Sequence, residues 1–150
     1  KIPAGIANGM KLRLSGFGEA GSRGGESGDL FVVVFIKPDK QFERDNDHLH
    51  CHLSIPFTLA ALGGEVNIKT IDREAVLQIP AGTQPNSILR MRGYGMPNFS
   101  TAKRGDQLVH IEIEVPKKLT ADQRTKLEAF AMSFDGGDKS WFAKIKDSFK

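Results

Sequence analysis

Residues 16–21 read GFGEAG, and the fold turns on whether this stretch is a G-x-G-x-x-G phosphate cradle or a turn between two strands. The cradle needs a strand running in and a helix leading out, because the pyrophosphate rests on the helix N-terminus. The strand is present: MKLRLS at residues 10–15 alternates Leu12 and Leu14 with Lys11 and Arg13, a half-buried strand pattern. The helix is not. SRGGESGD at residues 22–29 adds Gly24, Gly25 and Gly28 and leads into LFVVVFI at residues 30–36, a β-branched and aromatic run. The stretch is therefore a glycine-rich connection between strands, and a nucleotide-dependent enzyme built on it is not expected.

The same device occurs twice. IPAG stands at residues 2–5 and at 79–82, and at that constant offset of 77, twelve positions between Ile2 and Pro38 are identical to their counterparts. Leu12-Arg13 falls on Leu89-Arg90, Gly16-Phe17-Gly18 on Gly93-Tyr94-Gly95, and Gly28-Asp29 on Gly105-Asp106; Gly21 is replaced by Asn98. Such self-similarity marks a repeated structural unit. About 40 residues beginning near QFERDNDHL precede the second IPAG, and no such preface precedes the first. The expectation is a first unit lacking its N-terminal half, hence a piece of a longer protein, with an open sheet edge near Lys1 unless something covers it.

The pattern predicts a mainly β protein: tandem related small β-sandwich units, the first truncated, followed by a C-terminal helical segment. Residues 1–38 end the first unit, 39–117 form a complete second unit, and 118–150 form the helical segment and tail. HLHCHLSI at residues 48–55 places Leu49, Cys51, Leu53 and Ile55 on one strand face and His48, His50, His52 and Ser54 on the other. FTLAALGGE allows only a short helix before Gly63-Gly64. EVNIKTI, AVLQIP, ILRMRG and QLVHIEIEV are short strands between turn residues, which suggests a small antiparallel sandwich. In LTADQRTKLEAFAMSF, Thr120 and Gln123 have capping-box spacing, and Leu127, Phe130, Ala131 and Phe134 form an apolar stripe. Beyond Gly136-Gly137, Trp141, Phe142, Ile145 and Phe149 predict a last amphipathic helix.

The bulk properties are those of an ordinary globular protein: 39% hydrophobic, 26% charged, net charge +3 with basic and acidic residues interspersed. A dedicated nucleic-acid binder clusters its charge more, so a nucleic-acid-binding β module is the alternative rather than the main reading. No run is long enough to span a membrane. One cysteine, Cys51, rules out an internal disulfide framework and a four-cysteine zinc site, and fits the cytoplasm. Its strand position makes it a small buried hydrophobe rather than a nucleophile. His48, His50 and His52 share a face as metal ligands do, but without a further cluster they read as a solvated strand face, and no metal is expected. Glu43, Asp45 and Asp47 read as a polar turn. No catalytic constellation stands out, so the chain is not expected to be an enzyme.

The two copies of the last strand differ. In the second, Val109, Ile111, Ile113 and Val115 face one way and His110, Glu112 and Glu114 the other. In the first, Val32, Val34 and Ile36 match the buried face, and the opposite face carries Phe31, Val33 and Phe35 where polar residues are expected. That face is either covered by the missing half or a neighbouring unit, or it captures other chains.

IPAGIANGMKLRLSGFGEAG, GDLFVVVFIKP, FERDNDHLHCHLSIPFTLAALGGEV, IPAGTQPNSILRMRGYGMP and RGDQLVHIEIEVPKKLTADQRTKL, in this order, resemble the C-terminal client-binding region of DnaJ-type co-chaperones over residues 1 to about 130. The resemblance implies paired β-sandwich domains that bind unfolded polypeptides and pass them to a DnaK-type ATPase chaperone, with a homodimer held by the C-terminal segment, here through Leu127, Phe130 and Phe134. It also implies, upstream, a J domain with His-Pro-Asp and in one subtype a zinc-binding insertion; neither motif stands in this sequence, so no cofactor is expected in it. The family's client groove includes an apolar residue third after the Gly-Asp, here Val32, whereas the repeat comparison favours Phe31, Val33 and Phe35. All four are candidate client-binding residues.

Overall fold

The computed structural model describes residues 2–21, 25–101 and 103–133. In it the two copies of the repeat share one backbone. Strand β1 (Lys11–Leu14) pairs antiparallel with β2 (Leu30–Val33), Leu12 opposite Val32 and Arg13 opposite Phe31. At the offset of 77, β7 (Ile88–Met91) pairs antiparallel with β8 (Gln107–Glu114), Leu89 opposite Val109 and Arg90 opposite Leu108. Left-handed backbone recurs at matched positions: Gly5 and Gly82 at φ 81° and 77°, Gly9 and Asn86 at 79° and 63°, Gly16 and Gly93 at 75–77°. Glycine adopts this region without penalty, and asparagine tolerates it better than most residues.

The hydrogen bonds repeat as well. Gly18 N–H donates to Gly28 O at 2.8 Å and Gly95 N–H to Gly105 O at 2.9 Å; the Gly16 and Gly93 amides donate to the Asp29 and Asp106 carboxylates at 3.3 and 2.8 Å. Arg13 pairs with Asp29 as Arg90 does with Asp106. The Gly-Asp of each copy thus closes the G-aromatic-G turn, and GFGEAG opens no helix.

Between the copies lie β3 (Glu43–Asp45), β4 (His48–Pro56), helix α1 (Phe57–Leu62), β5 (Gly64–Lys69) and β6 (Glu74–Ile79). One sheet has the order β3-β4-β8-β7, and β5-β6 is a two-stranded sheet. The core draws on both: Cys51 and Ile55 of β4, Met91 of β7, and Val109 and Ile111 of β8 meet Ile68, Leu77 and Ile79 of the hairpin and Ala60 of α1. Alternation puts Leu49, Cys51 and Ile55 inside and His48, His52 and Ser54 outside, as the sequence predicts.

Burial pushes the Cys51 thiol pKa up, opposed by the Gln107 amide that donates to its sulfur at 3.2 Å. Gln107 is fully buried; the same Nε2 donates to Lys69 O at 3.1 Å, and Oε1 has no partner among the described residues. One polar side chain therefore ties β8 to β4 and to the end of β5, where the first copy has Leu30.

Four expectations are corrected. The sheet is not purely antiparallel: β4 and β8 run parallel, Leu49 opposite Gln107 through Pro56 opposite Glu114. Glu43 and Asp45 are not in a turn but in strand β3. Val115 lies beyond β8 and is exposed. In the first copy, Val32 and Ile36 are exposed and Val34 is only half-buried, because no described element packs on that hairpin as the β5-β6 sheet packs on its counterpart.

The chain divides into two compact units, Lys1–Glu114 and Val115–Lys150. In the second, α2 (Ala121–Ser133) starts with the expected capping box: Thr120 N–H donates to Gln123 Oε1 at 2.9 Å and Gln123 N–H to Thr120 Oγ1 at 3.2 Å. Leu127 and Ala131 are half-buried and Phe130 is exposed. Phe134 and the helix expected around Trp141, Phe142, Ile145 and Phe149 lie outside the described residues. No helix among the described residues is long and apolar enough to cross a membrane.

Candidate functional site

The register of the β1-β2 hairpin sorts its side chains into two faces. Phe31 and Val33 share one with Arg13 and Lys11, their cross-strand partners; Val32 and Leu30 share the other with Leu12 and Leu14. Phe31 is 60% exposed and Phe35, beyond the strand, 81%. On the other face Val32, Leu30 and Leu14 are each about 40% exposed. Through the repeat, this second face corresponds to Leu89, Met91, Gln107 and Val109, the inward side of the second copy, and the Phe31 face corresponds to Leu108 and His110. Both candidate faces are thus open, for different reasons. One is the outer face of the repeat carrying apolar residues; the other is the inner face, on which no described element packs as the β5-β6 sheet does in the second copy.

The strand edge is a third feature. Among the described residues β2 pairs with β1 alone, whereas β8 pairs with β7 on one side and takes β4 in parallel on the other. The edge of β2 matching the β4 side of β8 thus has no strand partner among the described residues.

The start of the first copy is anchored by a residue to which the sequence reading assigns no role. Arg44, between two carboxylates on β3, donates from Nη1 to Ile6 O at 2.7 Å, from Nη2 to Gly5 O at 2.8 Å and from Nε to Asn46 O at 2.6 Å. Ile6 is buried. The planar guanidinium fork can satisfy two adjacent carbonyls at once. No periodicity marks such a residue; the signal is only a cation in a three-residue acidic stretch. Nearby, a cavity of about 590 Å³ is lined by Ile36, Phe42, Leu49, Ile71, Met96 and the imidazoles of His50 and His52 among others.

The histidine row is more than the three residues of β4. The parallel register sets His110 of β8 opposite His52, and its ring stacks on those of His50 and His52 with centroids 5.2 and 5.1 Å away. The sequence could not place His110 beside them, because the pairing joins residues far apart in the chain. Among the described residues no group of three or more His, Cys, Asp or Glu side chains is arranged to hold a metal ion. In α2, Leu127 and Phe130 lie one helical turn apart, with Phe134 outside the described residues.

Comparison with known proteins matches residues 1–116 to the family described as DnaJ C terminal domain. A curated protein of Burkholderia mallei (strain SAVP1) named Chaperone protein DnaJ is 46% identical over 157 aligned positions, covering all of this chain and 42% of that protein. The protein of that name from Burkholderia pseudomallei (strain K96243) gives the same figures, and that from Bordetella petrii is 47% identical over 99% of this chain and 42% of its own length. The chain spans about two fifths of the length of these relatives. Since the family match takes in both copies of the repeat and the strands between them, the chain belongs to the DnaJ C terminal domain family.

Proposed function

We propose that this chain is the part of a co-chaperone that binds unfolded polypeptides, works in the intact protein with a DnaK-type ATPase chaperone, and does so by binding rather than by catalysis. The observation that carries the reading is the β1-β2 hairpin, with Phe31, Val33 and Phe35 exposed, Val32 on the reverse, and between them an edge of β2 that has no strand partner among the described residues. An extended client laid along that edge gains sequence-tolerant backbone hydrogen bonds while apolar contacts select bulky side chains. The names of the relatives and the single buried cysteine fit folding work in the cytoplasm.

Fluorescence anisotropy with a labelled, permanently unfolded polypeptide tests this. Phe31→Ser or Val32→Ser is expected to weaken binding about tenfold, the equivalent of one lost apolar contact of about 1.5 kcal/mol. The more damaging substitution identifies the working face. Wild-type binding should depend little on salt; a steep fall with salt would instead indicate a nucleic-acid-type electrostatic site, and unchanged affinity in both variants would remove the hairpin from the site.

We also assign homodimerisation to α2, through Leu127 and Phe130 with Phe134 continuing the stripe. Two weak sites joined in one dimer make the second contact intramolecular and strengthen overall binding about a hundredfold where the geometry permits. The double variant Leu127→Asp, Phe130→Asp should sediment as a monomer and hold clients correspondingly more weakly. A double variant that remains dimeric sinks the assignment.

A further inference from the structure

In the first copy the backbone ladder ends just past β2, and a side chain then takes its place. Val34 N–H donates to Met10 O at 2.9 Å and Gly9 N–H to Val34 O at 2.8 Å, the last rungs between backbone atoms of the hairpin among the described residues. Two residues on, Ile36 N–H donates to the side-chain oxygen Oδ1 of Asn8 at 2.8 Å. Phe35 stands between these two fixed points and is the most exposed apolar side chain of the hairpin. Further along, Asp39 Oδ1 accepts the Gln41 and Phe42 amides at 2.7 and 3.1 Å, a side-chain turn that leads the chain on to β3.

The second copy reproduces the rungs but not the side-chain bond. Asn86 N–H donates to Ile111 O and Ile111 N–H to Ser87 O, both at 2.9 Å. At the offset of 77, Asn8 falls on Pro85 and Ile36 on Ile113. Proline has no side-chain acceptor, and β8 is held instead by β4, as far as Glu114 opposite Pro56. Asn8 therefore does for residues 35 and 36 what a neighbouring strand does for residues 112 and 113.

We propose that Asn8 is a positioning residue of the polypeptide-binding hairpin: by holding Ile36 it keeps Phe35 in line with Phe31 and Val33, so that the apolar row offered to a client has three members rather than two. On an extended strand these side chains recur on one face about 7 Å apart. The matching occupant is an extended segment with bulky apolar side chains at alternate positions. Without the Asn8 bond, residues 35 and 36 are free to turn away, and a client has to order them as it binds. The inference rests on the hairpin reading above and adds to it a residue that acts through another.

A double-mutant cycle on the whole chain tests this, read by anisotropy with the labelled, permanently unfolded polypeptide. Asn8→Ala is expected to weaken binding about fivefold, the factor of one hydrogen bond, and to cost less than about twofold when Phe35→Ser is already present. Asn8→Asp keeps an oxygen acceptor in the same place and should bind as the wild type does. Amide exchange reads the cause: Ile36 loses protection in Asn8→Ala and keeps it in Asn8→Asp, while Ile111 is unchanged in both. Asn8 is exposed and is not in the left-handed region, so alanine fits its backbone, and circular dichroism establishes that each variant is folded. Wild-type affinity in Asn8→Ala, or an equal loss with and without Phe35→Ser, overturns the proposal while the hairpin stands, provided Phe31→Ser and Phe35→Ser still weaken binding. If neither phenylalanine variant weakens binding, the hairpin reading itself is wrong and the role of Asn8 falls with it.

Discussion

Gly105→Ala is expected to destabilise the protein by roughly 3–5 kcal/mol, while Gly28→Ala, the same change 77 residues earlier, stays within about 1 kcal/mol of wild type. A Cβ on Gly105 would stand 2.0 Å from the carbonyl oxygen of Asp47 and 2.4 Å from its carbon. That backbone has little room to retreat, since Asp47 O accepts the Met96 N–H at 2.8 Å and its carboxylate accepts from Asn98 Nδ2 at 2.7 Å. At Gly28 the nearest atom to an added Cβ is Glu19 O at 3.7 Å, an ordinary contact. The contrast isolates one cause: the β3-β4 turn is seated on the Gly-Asp of the second copy and nothing described is seated on that of the first. Urea unfolding followed by far-ultraviolet circular dichroism measures both. Equal midpoints for the two variants would show that the seat does not carry the stability assigned to it.

Arg44→Met should free the start of the first copy without unfolding the second. Substitution strands the Gly5 and Ile6 carbonyls and removes two charge-assisted hydrogen bonds, which are generally worth about 1.5–3 kcal/mol each before water replaces them. The Gly9 and Val34 amides, which close the β1-β2 hairpin on Val34 O and Met10 O, are then expected to lose about thirtyfold in hydrogen-exchange protection, or about 2 kcal/mol. The Ile111 amide, bonded to Ser87 O in the second copy, should keep its protection. Arg44→Lys should recover little, because an ammonium lacks the planar fork that reaches two carbonyls. Equal loss at Val34 and Ile111 would mean that Arg44 supports the whole unit rather than the anchor.

Legibility in the sequence follows the range of the interactions. The repeat was readable because its glycines are local requirements: a left-handed φ at Gly5, Gly16, Gly82 and Gly93 leaves the same mark wherever the turn recurs. The inward face of β4, the short α1 and the capping box of α2 are likewise set by near neighbours. The parallel sense of β4 against β8 was not readable, since alternation in a strand says which side is buried and nothing about the partner's direction. From that one gap followed the missed grouping of His110 with His50 and His52. Glu43–Asp45 was misread because three polar residues carry no period, and Arg44 went unassigned because its partners are backbone atoms some 38 residues away. Residues 30–33 were legible as a strand, but its two faces could not be ranked, since Phe31 and Val32 are both apolar and only register tells which side each shares.

The parallel β4-β8 seam also sets a timetable. Each facing pair in it is separated by 58 residues, and pairings of such separation close late, because loop entropy must be overcome before any contact rewards it. During synthesis, at roughly 5–20 residues per second, β4 waits several seconds with only the three-residue β3 available beside it. The β8 side of β4 stays unpaired over that interval, although α1 and the β5-β6 hairpin, which share the core with Cys51 and Ile55, are made before β8, and the newly made chain passes through a state with an open strand edge, the same kind of surface that the finished protein is proposed to recognise in others.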